Sequence, residues 1–453
     1  MSEANEVLSD ALSEPVTYGV EPFVSEAYAR AEGERLWPKV WQHACRVEEI
    51  PKVGDFVTYD ILDDTILIVR SAPDQISAFY NVCAHRGRRL MDGCGHVTHL
   101  HCRYHAWQYD LTGENIRVLD REDWGGALEP GRLRLRPVRV DTWGGWIWIN
   151  MDPDCQPLRT YLEPIAGMLE PFELEKMRFR WRQWCYFDCN WKVAMEAFIE
   201  AYHVEGTHPQ LLKYADFYTW SATDGLHSHK GFEERNQKLR TIESKTYFRP
   251  GKGDDPRVSI ARMQEEIYRT VNATTTQTLV DAAARLPEEL PEGTSASEVT
   301  AHWLASARRD DAARGVIWPK ISAEHLAKCG NSCHIFPNLS IGLGLTFALY
   351  YRARPYGHDP NKCIFEACVI ERFPQGEEPR TEWVRAEPSD VEAWRSVLVQ
   401  DFANMSEVQR GMRSRGFPGA LPNPKQERTV SNFQRNLARY VGSGGLRPLG
   451  STR

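Results

Sequence analysis

Two short motifs of possible metal ligands decide how this sequence is interpreted: Cys83-Ala-His85 and Cys102-Arg-Tyr-His105. Each motif offers one thiolate and one imidazole, so that four ligands come from two loops. A structural zinc site accepts the same donors, but zinc fingers usually group two Cys at one end and two His at the other. Because each loop here is mixed, the pattern favours a two-iron, two-sulfur cluster, in which each loop gives its Cys to one iron and its His to the other.

Other possible ligands lie between the two motifs. Each is more often an ordinary loop or strand residue than a metal ligand. Spacing alone therefore favours the four residues of the motifs over these neighbours, which are Cys94, His96, His99 and His101.

The length and composition of the chain predict a two-domain globular protein. Its 453 residues exceed the size at which a single hydrophobic core usually stops growing. With 42% hydrophobic, 11% aromatic and 26% charged residues, its composition is typical of ordinary globular proteins. The net charge of −7 and the absence of a basic run indicate no nucleic-acid partner.

The N-terminal sequence and the cysteine usage predict a cytoplasmic protein. Residues 1–16 lack the basic and apolar regions of a signal peptide, and the longest apolar stretch, Ser340 to Tyr351, is too short to span a bilayer. Eleven cysteines without a secretory signal indicate reduced thiols, some of them metal ligands, rather than a disulfide framework.

Hydrophobic patterning divides the chain into a β-rich part and an α+β part. From about Trp37 to Asp154 short strands alternate with turns, as at 65–70 and 146–150. After Pro157 the patterns at 190–208 and 388–411 predict helices, the second capped by Ser389. The apolar runs 334–336, 346–351 and 363–370 predict neighbouring strands of one antiparallel sheet. The polar segment 251–314 is interpreted as a surface excursion with two helical patterns.

A second set of possible ligands lies in the first of these predicted helices. His203 and His208 are five residues apart, so on an unbroken helix they would diverge by roughly 140°. Gly206 and Pro209 can supply the break that lets both face one metal. Two His near a helix break, preceded by an acid, fit part of the 2-His-1-carboxylate triad that binds Fe(II).

The remaining ligand of such a triad is a carboxylate. Asp401 lies among apolar residues of the second predicted helix and is the preferred candidate. Spacing does not exclude Glu392 or Glu407, and Glu205 lies in the break itself.

The two sets of residues together resemble the aromatic-ring-hydroxylating oxygenases, which are Rieske-type non-haem iron enzymes. The resemblance rests on Cys83-Ala-His-Arg-Gly87 with Cys102-Arg-Tyr-His-Ala-Trp107, and on Asn190-Trp-Lys, Tyr202-His203, His208 and the distant Asp401. It implies a catalytic (alpha) subunit with a Rieske [2Fe–2S] cluster on Cys83, His85, Cys102 and His105, and a mononuclear Fe(II) on His203, His208 and Asp401.

The resemblance also implies the fold class, which is α+β. Residues 38–156 are expected to form an all-β Rieske [2Fe–2S] domain. Residues 1–37 and 157–453 are expected to form a helix-grip (START/Bet v1-like) catalytic domain with a large antiparallel sheet.

Glu200 has a different implied role, because the triad needs only one carboxylate. In the family, the acid at this position links the iron-bound His of one subunit to a cluster His of its neighbour. The resemblance thus implies that Glu200 links His203 of one protomer to His105 of another within a homotrimer. The sequence departs from the family at two places, having Glu200 where Asp is usual and Ala197 where many members have Asn.

The implied reaction is oxygenation driven by an external electron donor. A ferredoxin or flavin reductase would supply the electrons, since no Gly-x-Gly-x-x-Gly nucleotide-binding motif follows a strand. The expected reaction is cis-dihydroxylation or monohydroxylation of a hydrophobic, aromatic or cyclic substrate, as in aromatic hydrocarbon catabolism, in an assembly that can include a small beta subunit. The alternative is monooxygenation or demethylation of a non-aromatic substrate such as a quaternary ammonium compound.

Some neighbouring residues have two interpretations. Tyr202 and Asn190 can orient the ligands or simply pack and cap a helix. Phe198 and Phe402 can line a hydrophobic pocket or belong to the core. Two rival functions also remain: a Rieske electron carrier, which leaves the second domain unexplained, and a zinc-stabilised binding protein.

Overall fold

The computed structural model describes residues 15–215, 217–233, 245–246 and 255–450. Contacts divide the chain into two compact units, one comprising Ala31–Tyr161 and the other the residues on either side of it. In the parts of the chain just named, no helix has both the length and the apolar character needed to cross a membrane.

The smaller unit consists mainly of short antiparallel strands. The chain enters it through β1 (Val16–Thr17), α1 (Glu21–Val24) and α2 (Glu26–Arg35). Its elements are β2 (Gln42–Arg46), β3 (Asp55–Ile61), β4 (Asp64–Ala72), β5 (Gln75–Tyr80), β6 (Cys94–His96), β7 (Leu100–His101), β8 (Gln108–Tyr109), β9 (Asn115–Arg117), α3 (Pro130–Leu133), β10 (Pro137–Trp143) and β11 (Trp146–Asn150), with 3₁₀ segments at Val47–Glu49 and Arg121–Trp124.

These strands form a seven-stranded sheet in the order β2-β11-β10-β5-β4-β3-β6 and a separate three-stranded sheet, β7-β8-β9. The predicted strands at 65–70 and 146–150 are confirmed, since they lie in β4 and β11. Leu67 and Val69 of β4 join a hydrophobic core that also contains Cys83, Cys102 and Trp107. The two ligand loops are therefore anchored in the core of this unit.

The larger unit contains most of the helices. After α4 (Leu158–Leu162) and α5 (Ile165–Leu169) they are α6 (Trp191–Ile199), α7 (Val204–Thr207), α8 (Pro256–Thr270), α9 (Gln277–Ala284), α10 (Leu286–Glu289), α11 (Ala296–Ala313), α12 (Ala323–Cys329), α13 (Val391–Met412) and α14 (Arg428–Val441). Further 3₁₀ segments lie at Glu170–Phe172, Leu174–Lys176 and Pro209–Lys213.

The strands of this unit are β12 (Arg178–Phe187), β13 (Thr219–Asp224), β14 (His227–Glu233), β15 (Lys245–Thr246), β16 (Ser332–Ile335), β17 (Leu339–Leu343), β18 (Phe347–Tyr356), β19 (Asp359–Glu371), β20 (Val384–Arg385) and β21 (Arg447–Pro448). Nine of them form one sheet in the order β13-β14-β16-β17-β18-β19-β12-β20, with β15 beside β14. All of its pairings are antiparallel except β12 with β20. The prediction that the runs at 334–336, 346–351 and 363–370 share an antiparallel sheet is confirmed. The last two lie in adjacent strands, but β17 separates the first from them, so the predicted adjacency is wrong for that run.

Helices α6 and α13 position the second group of candidate ligands. Helix α6 packs across β17, β18 and β19, and α13 packs against α6. The predicted cap of α13 is wrong by one residue, because Asp390 rather than Ser389 accepts the free N–H groups of Glu392 and Ala393. A carboxylate at this position satisfies two helix-end donors at once.

The described part of segment 251–314 differs from the predicted surface excursion. It forms α8 to α11, and α8 buries Ile260, Met263 and Ile267 on one side. These residues are spaced three and four apart, so a helix brings them onto one face although the segment as a whole is polar.

Candidate metal centres and substrate cavity

The two ligand loops of the smaller unit have the same pattern of backbone hydrogen bonds. The Cys83 N–H donates to the Arg88 carbonyl at 2.9 Å, and the Gly87 N–H donates back to the Cys83 carbonyl at 3.0 Å. The loop at Cys102 repeats both bonds, at 2.8 and 3.0 Å, with Ala106 in the place of Gly87. Gly87 and Ala106 both have positive φ, 75° and 56°. Each Cys thus begins a tight turn that brings the following His back toward it.

The four donor side chains of these loops converge. The thiols of Cys83 and Cys102 are buried and contact each other. The rings of His85 and His105 lie 4.6 Å apart between centroids. Both Nδ1 atoms are buried and find no hydrogen-bond partner in the described part of the chain. Two neighbouring thiols and two imidazole nitrogens that lack hydrogen-bond partners fit a two-metal cluster that takes one Cys and one His from each loop.

Tyr109 adds a contact that the sequence did not reveal. Its hydroxyl lies 3.3 Å from the Cys83 Sγ and accepts the Ala84 N–H at 3.1 Å. Burial, followed by the neighbouring Cys83, raises the pKa of Tyr109, so its proton stays available to the sulfur. Hydrogen bonds to ligand sulfur are one way in which a protein sets a cluster's reduction potential.

The other Cys and His residues between the motifs lie outside this group. Cys94 is exposed, and the His96 Nδ1 pairs with the Asp55 carboxylate at 2.9 Å. His99 contacts the Thr98 hydroxyl. The four residues that spacing favoured are thus the ones whose side chains converge, and their assignment as cluster ligands stays a prediction.

In the larger unit, the chain leaves helical geometry twice around the two candidate His, once more than predicted. Helix α6 ends at Ile199, and Glu200 is extended, with φ −128° and ψ 175°. The Glu200 carboxylate accepts the backbone N–H groups of Tyr202 and His203. One break therefore precedes His203. A second lies at His208, the non-helical C-cap of α7 (φ −124°, ψ 55°) directly before Pro209, so the predicted break is confirmed at Pro209, whereas Gly206 stays helical. Glu200 does not share a helix face with His203 but holds the turn in which His203 lies.

The three predicted triad residues come together. His203 lies at the start of α7 and His208 at its end, while Asp401 projects from α13. One potential ligand atom from each residue lies within 4.8 Å of the others. The Asp401 Oδ1 is 2.8 Å from the His208 Nε2 and 3.5 Å from the His203 Nε2. This donor set fits Fe(II) and occupies one side of a metal, leaving other positions open.

The competing carboxylates do not join the group. The side chains of these competing carboxylates, Glu205, Glu392 and Glu407, are exposed.

Each imidazole of the triad is oriented through its other nitrogen. The His203 Nδ1 contacts the Glu200 Oε1, and the His208 Nδ1 lies 2.9 Å from the Gln400 Oε1. Such partners fix the tautomer, so that Nε2 is the atom offered to a metal. Gln400 was missed in the sequence, although its position directly before Asp401 was available as a signal.

Burial and neighbouring charges shift the pKa values of three groups near the triad, Glu200, His203 and Lys230. Burial opposes the ionisation of Glu200, but the hydrogen bond and charge of His203, with help from Lys230, lower the pKa of Glu200 overall. Burial likewise opposes protonation of His203, but Glu200 outweighs it and raises the His203 pKa. Burial lowers the pKa of Lys230 to about 8, against the opposing effect of Glu200.

A cavity of about 300 Å³ opens beside the triad. Its walls come from the sheet and from helices that include α6, α8, α11 and α13. They are rich in aromatic side chains, among them Phe198, Phe217, Phe232, Trp303, Phe347 and Tyr351. Residues of the segment interpreted as a surface excursion, such as Met263 and Ile267, also line it. An apolar, aromatic cavity with a few polar groups is typical of a small-molecule site.

The structure distinguishes between the two interpretations of Phe198, Phe402, Asn190 and Tyr202. Phe198 lines the cavity, whereas Phe402 packs in the core against Phe187 and Phe365. Asn190 caps α6 by accepting the Lys192 N–H at 3.1 Å, and Tyr202 is half exposed. No contact of Asn190 or Tyr202 with a triad side chain is found within the described residues.

A partly buried acid lies one helical turn before Glu200. Glu196 accepts the Tyr18 hydroxyl at 3.0 Å and the Gln434 Nε2 at 2.6 Å. Burial outweighs these hydrogen bonds and raises the pKa of Glu196 to about 8. Glu196 therefore holds its proton to a higher pH than an ordinary carboxyl group.

We expect Glu196→Gln to gain stability relative to the wild type as the pH rises from 5 to 8. Over this range the unfolded wild-type chain releases the Glu196 proton while the folded chain retains it, so wild-type stability falls with pH. Glutamine has the shape of the protonated acid and loses no proton. Urea unfolding of both proteins at several pH values measures the difference, with exposed Glu392→Gln as the control for removing one acid. A pH-independent difference would contradict this account.

Family models match most of the chain. The model for the ring hydroxylating alpha subunit (catalytic domain) matches residues 168–443, which is more than half of the chain, and the model for the Rieske [2Fe–2S] domain matches residues 40–122. The chain belongs to the ring-hydroxylating oxygenase alpha-subunit family. A chain of this family carries a Rieske [2Fe–2S] cluster and a mononuclear Fe(II), in agreement with the cofactors predicted from the sequence.

The family's curated members include several that are similar to this chain. It is 33% identical over 181 residues to the glycine betaine monooxygenase oxygenase subunit of Pseudomonas aeruginosa, covering 40% of this chain and 42% of the relative. It is 31% identical to the carnitine monooxygenase oxygenase subunit of Escherichia coli, covering 39% and 48%. It is 32% identical to the biphenyl 2,3-dioxygenase alpha subunit of Rhodococcus jostii, covering 42% of each. The chain thus spans less than half the length of these relatives.

Solved structures of family members share the fold. The quaternary ammonium Rieske monooxygenase CntA in complex with L-carnitine superposes with a TM-score of 0.64 at 18% identity, covering 95% of this chain and 97% of that one. Naphthalene 1,2-dioxygenase with indole bound gives 0.63 at 19% identity, covering 94% and 92%.

Proposed function

We propose that this chain is a terminal oxygenase that hydroxylates an N-methyl group of a quaternary ammonium compound. The observation that carries the proposal is the similarity to relatives named as glycine betaine and carnitine monooxygenase subunits. The aromatic lining of the cavity is compatible with it, since aromatic faces attract quaternary ammonium groups.

In this proposal the two groups of side chains have separate tasks. Cys83, His85, Cys102 and His105 hold the cluster in a Rieske domain over 38–156. His203, His208 and Asp401 hold the iron in a catalytic domain formed by 1–37 and 157–453. When bound, the cluster supplies electrons one at a time and the iron supplies the site at which O₂ is reduced. Glu200 and Gln400 keep both imidazoles in the orientation that the iron needs.

The proposed reaction balances in oxygen atoms, electrons and protons. One atom of O₂ enters a methyl C–H bond and the other leaves as water, which takes two electrons and two protons from the donor system. The resulting N-hydroxymethyl group then releases formaldehyde, and the nitrogen loses one methyl group. The electrons come from a separate ferredoxin or flavin reductase in the proposal.

Inter-subunit electron transfer belongs to the same proposal. Glu200 already bonds the imidazole of His203 within this chain. In a ring of subunits its carboxylate would also reach His105 of the neighbouring protomer, so that cluster and iron of different chains work together. The structure of CntA is described as giving insight into inter-subunit electron transfer in that protein.

Ring hydroxylation is the second candidate. The apolar, aromatic walls of the cavity suit a planar hydrocarbon as well, and relatives include biphenyl and naphthalene dioxygenases. In that case a cis-dihydrodiol or a phenol would form, and no formaldehyde would be released.

A product assay separates the two candidates. The holoprotein with a surrogate reductase and ¹⁸O₂ would be given N-trimethyl compounds and aromatic hydrocarbons in parallel. We expect formaldehyde in a 1:1 ratio to the demethylated amine from the N-trimethyl compounds. ¹⁸O-labelled ring products without formaldehyde would overturn the proposal in favour of ring hydroxylation.

A further inference from the structure

One lysine faces the cavity from the sheet. Lys230 lies in β14, is 7% exposed, and lines the cavity together with its strand neighbour Phe232. Across the described residues its side chain makes no hydrogen bond, ion pair or ring contact. Among the described residues of this unit, a second buried lysine is Lys192, whose ammonium lies 5.0 Å from the ring of Trp191. An ammonium group held away from water is costly unless a partner compensates it.

The nearby carboxylates of the chain are already engaged. Glu200 acts on Lys230 through its charge, but its oxygens bond the His203 imidazole and the backbone of Tyr202 and His203. Asp401 faces the two triad imidazoles. Lys230 therefore remains available to a group that enters the cavity.

Two polar residues neighbour Lys230 along the backbone and also line the cavity. The Asn331 N–H donates to the Lys230 carbonyl at 2.9 Å, and Ser332 lies directly opposite Lys230 in the pairing of β14 with β16. Both residues line the cavity. Their side chains, like that of Lys230, make no hydrogen bond within the part of the chain that the structure describes. An ammonium, an amide and a hydroxyl together form a set of donors for one anionic acceptor.

We propose that Lys230, Asn331 and Ser332 form a carboxylate subsite, so that the substrate is an organic acid or a zwitterion. The inference rests on the proposed function of the cavity and narrows it. For a quaternary ammonium compound it selects betaine-type molecules, in which a carboxylate accompanies the trimethylammonium group. A cation without a carboxylate would be repelled by Lys230, because like charges in a site of low dielectric oppose binding.

The matched probes are glycine betaine and choline, which share the trimethylammonium group and differ in carboxylate against hydroxymethyl. For Lys230→Met we expect the KM for glycine betaine to rise about 10–100-fold, since a charge-assisted hydrogen bond is lost. We expect the KM for choline to fall, because the repulsion is removed. Lys230→Arg should keep most of the preference for glycine betaine over choline, because the positive charge remains. Asn331→Asp should weaken this preference although Lys230 is still present.

Several outcomes would overturn the subsite. If Lys230→Met lowers kcat for both probes equally and leaves both KM values unchanged, Lys230 acts through Glu200 and not on the substrate. If Lys230→Met does not fold, an unchanged preference in Asn331→Asp overturns the proposal instead. Calorimetric titration of the holoprotein with glycine betaine, choline and benzoate tests the subsite even when no probe is oxidised. Carboxylate binding that depends on Lys230 without any oxidation would sustain the subsite and count against the proposed N-methyl hydroxylation.

Discussion

The His208→Ala variant is expected to lose oxygenation while keeping the colour and spectrum of its cluster. His208 lies 2.8 Å from Asp401 in the larger unit, whereas the four cluster donors lie in the smaller one. Loss of a group that merely orients a metal ligand costs about 10–100-fold in metal affinity or activity, so loss of a ligand should cost more than about 100-fold. Product formation, iron content and the visible spectrum measure the three effects on one preparation.

The control for this variant is His302→Ala, which removes a surface histidine paired with Glu289 in the same unit. It should retain iron and turnover. Disappearance of the cluster spectrum in His208→Ala would contradict the assignment of ligands to two separate centres. Retention of iron and full turnover would remove His208 from the triad.

The Glu200→Gln variant is expected to keep both metals and yet turn over about 10–100-fold more slowly. Its amide preserves the size of the side chain but removes the charge that Glu200 presents to His203. In the proposed assembly this weakens the link to the cluster of the neighbouring subunit. Stopped-flow spectroscopy measures the rate at which O₂ and substrate reoxidise the reduced cluster. This rate reports directly on electron transfer from the cluster to the iron site.

Glu200→Asp is the matched control, because it restores the residue that is usual in the family, and it should reoxidise its cluster at a rate near that of the wild type. An unchanged rate in Glu200→Gln would rule out the bridging role. Loss of iron from Glu200→Gln would show instead that Glu200 serves only to position His203.

The candidate ligands were easier to find in the sequence than the local structure around them. Cys83, His85, Cys102 and His105 were recognisable because their chemistry and spacing are local, and the family matches agree with the cofactors inferred from them. Asp401 needed the family resemblance, since it is brought to His203 and His208 only by the packing of α13 against α6.

Propensities predicted only one of the two helix breaks around the candidate His. The break before Pro209 is present at His208, but α6 also ends earlier, because the Glu200 carboxylate accepts the backbone N–H groups of Tyr202 and His203. Segment 251–314 was misinterpreted because its average composition is polar, while its apolar residues fall on single helix faces. Lys230 gave no signal, because its significance depends on the pairing of β14 with β16 beside the cavity.

The most direct test of the two-centre account is an electron paramagnetic resonance spectrum of the purified wild-type protein. After reduction with dithionite, the account predicts the rhombic signal of low average g that is typical of a Rieske cluster. After addition of nitric oxide, it predicts in the same sample the high-spin signal of an Fe(II)–NO complex. A colourless protein that contains zinc and gives neither signal would contradict it.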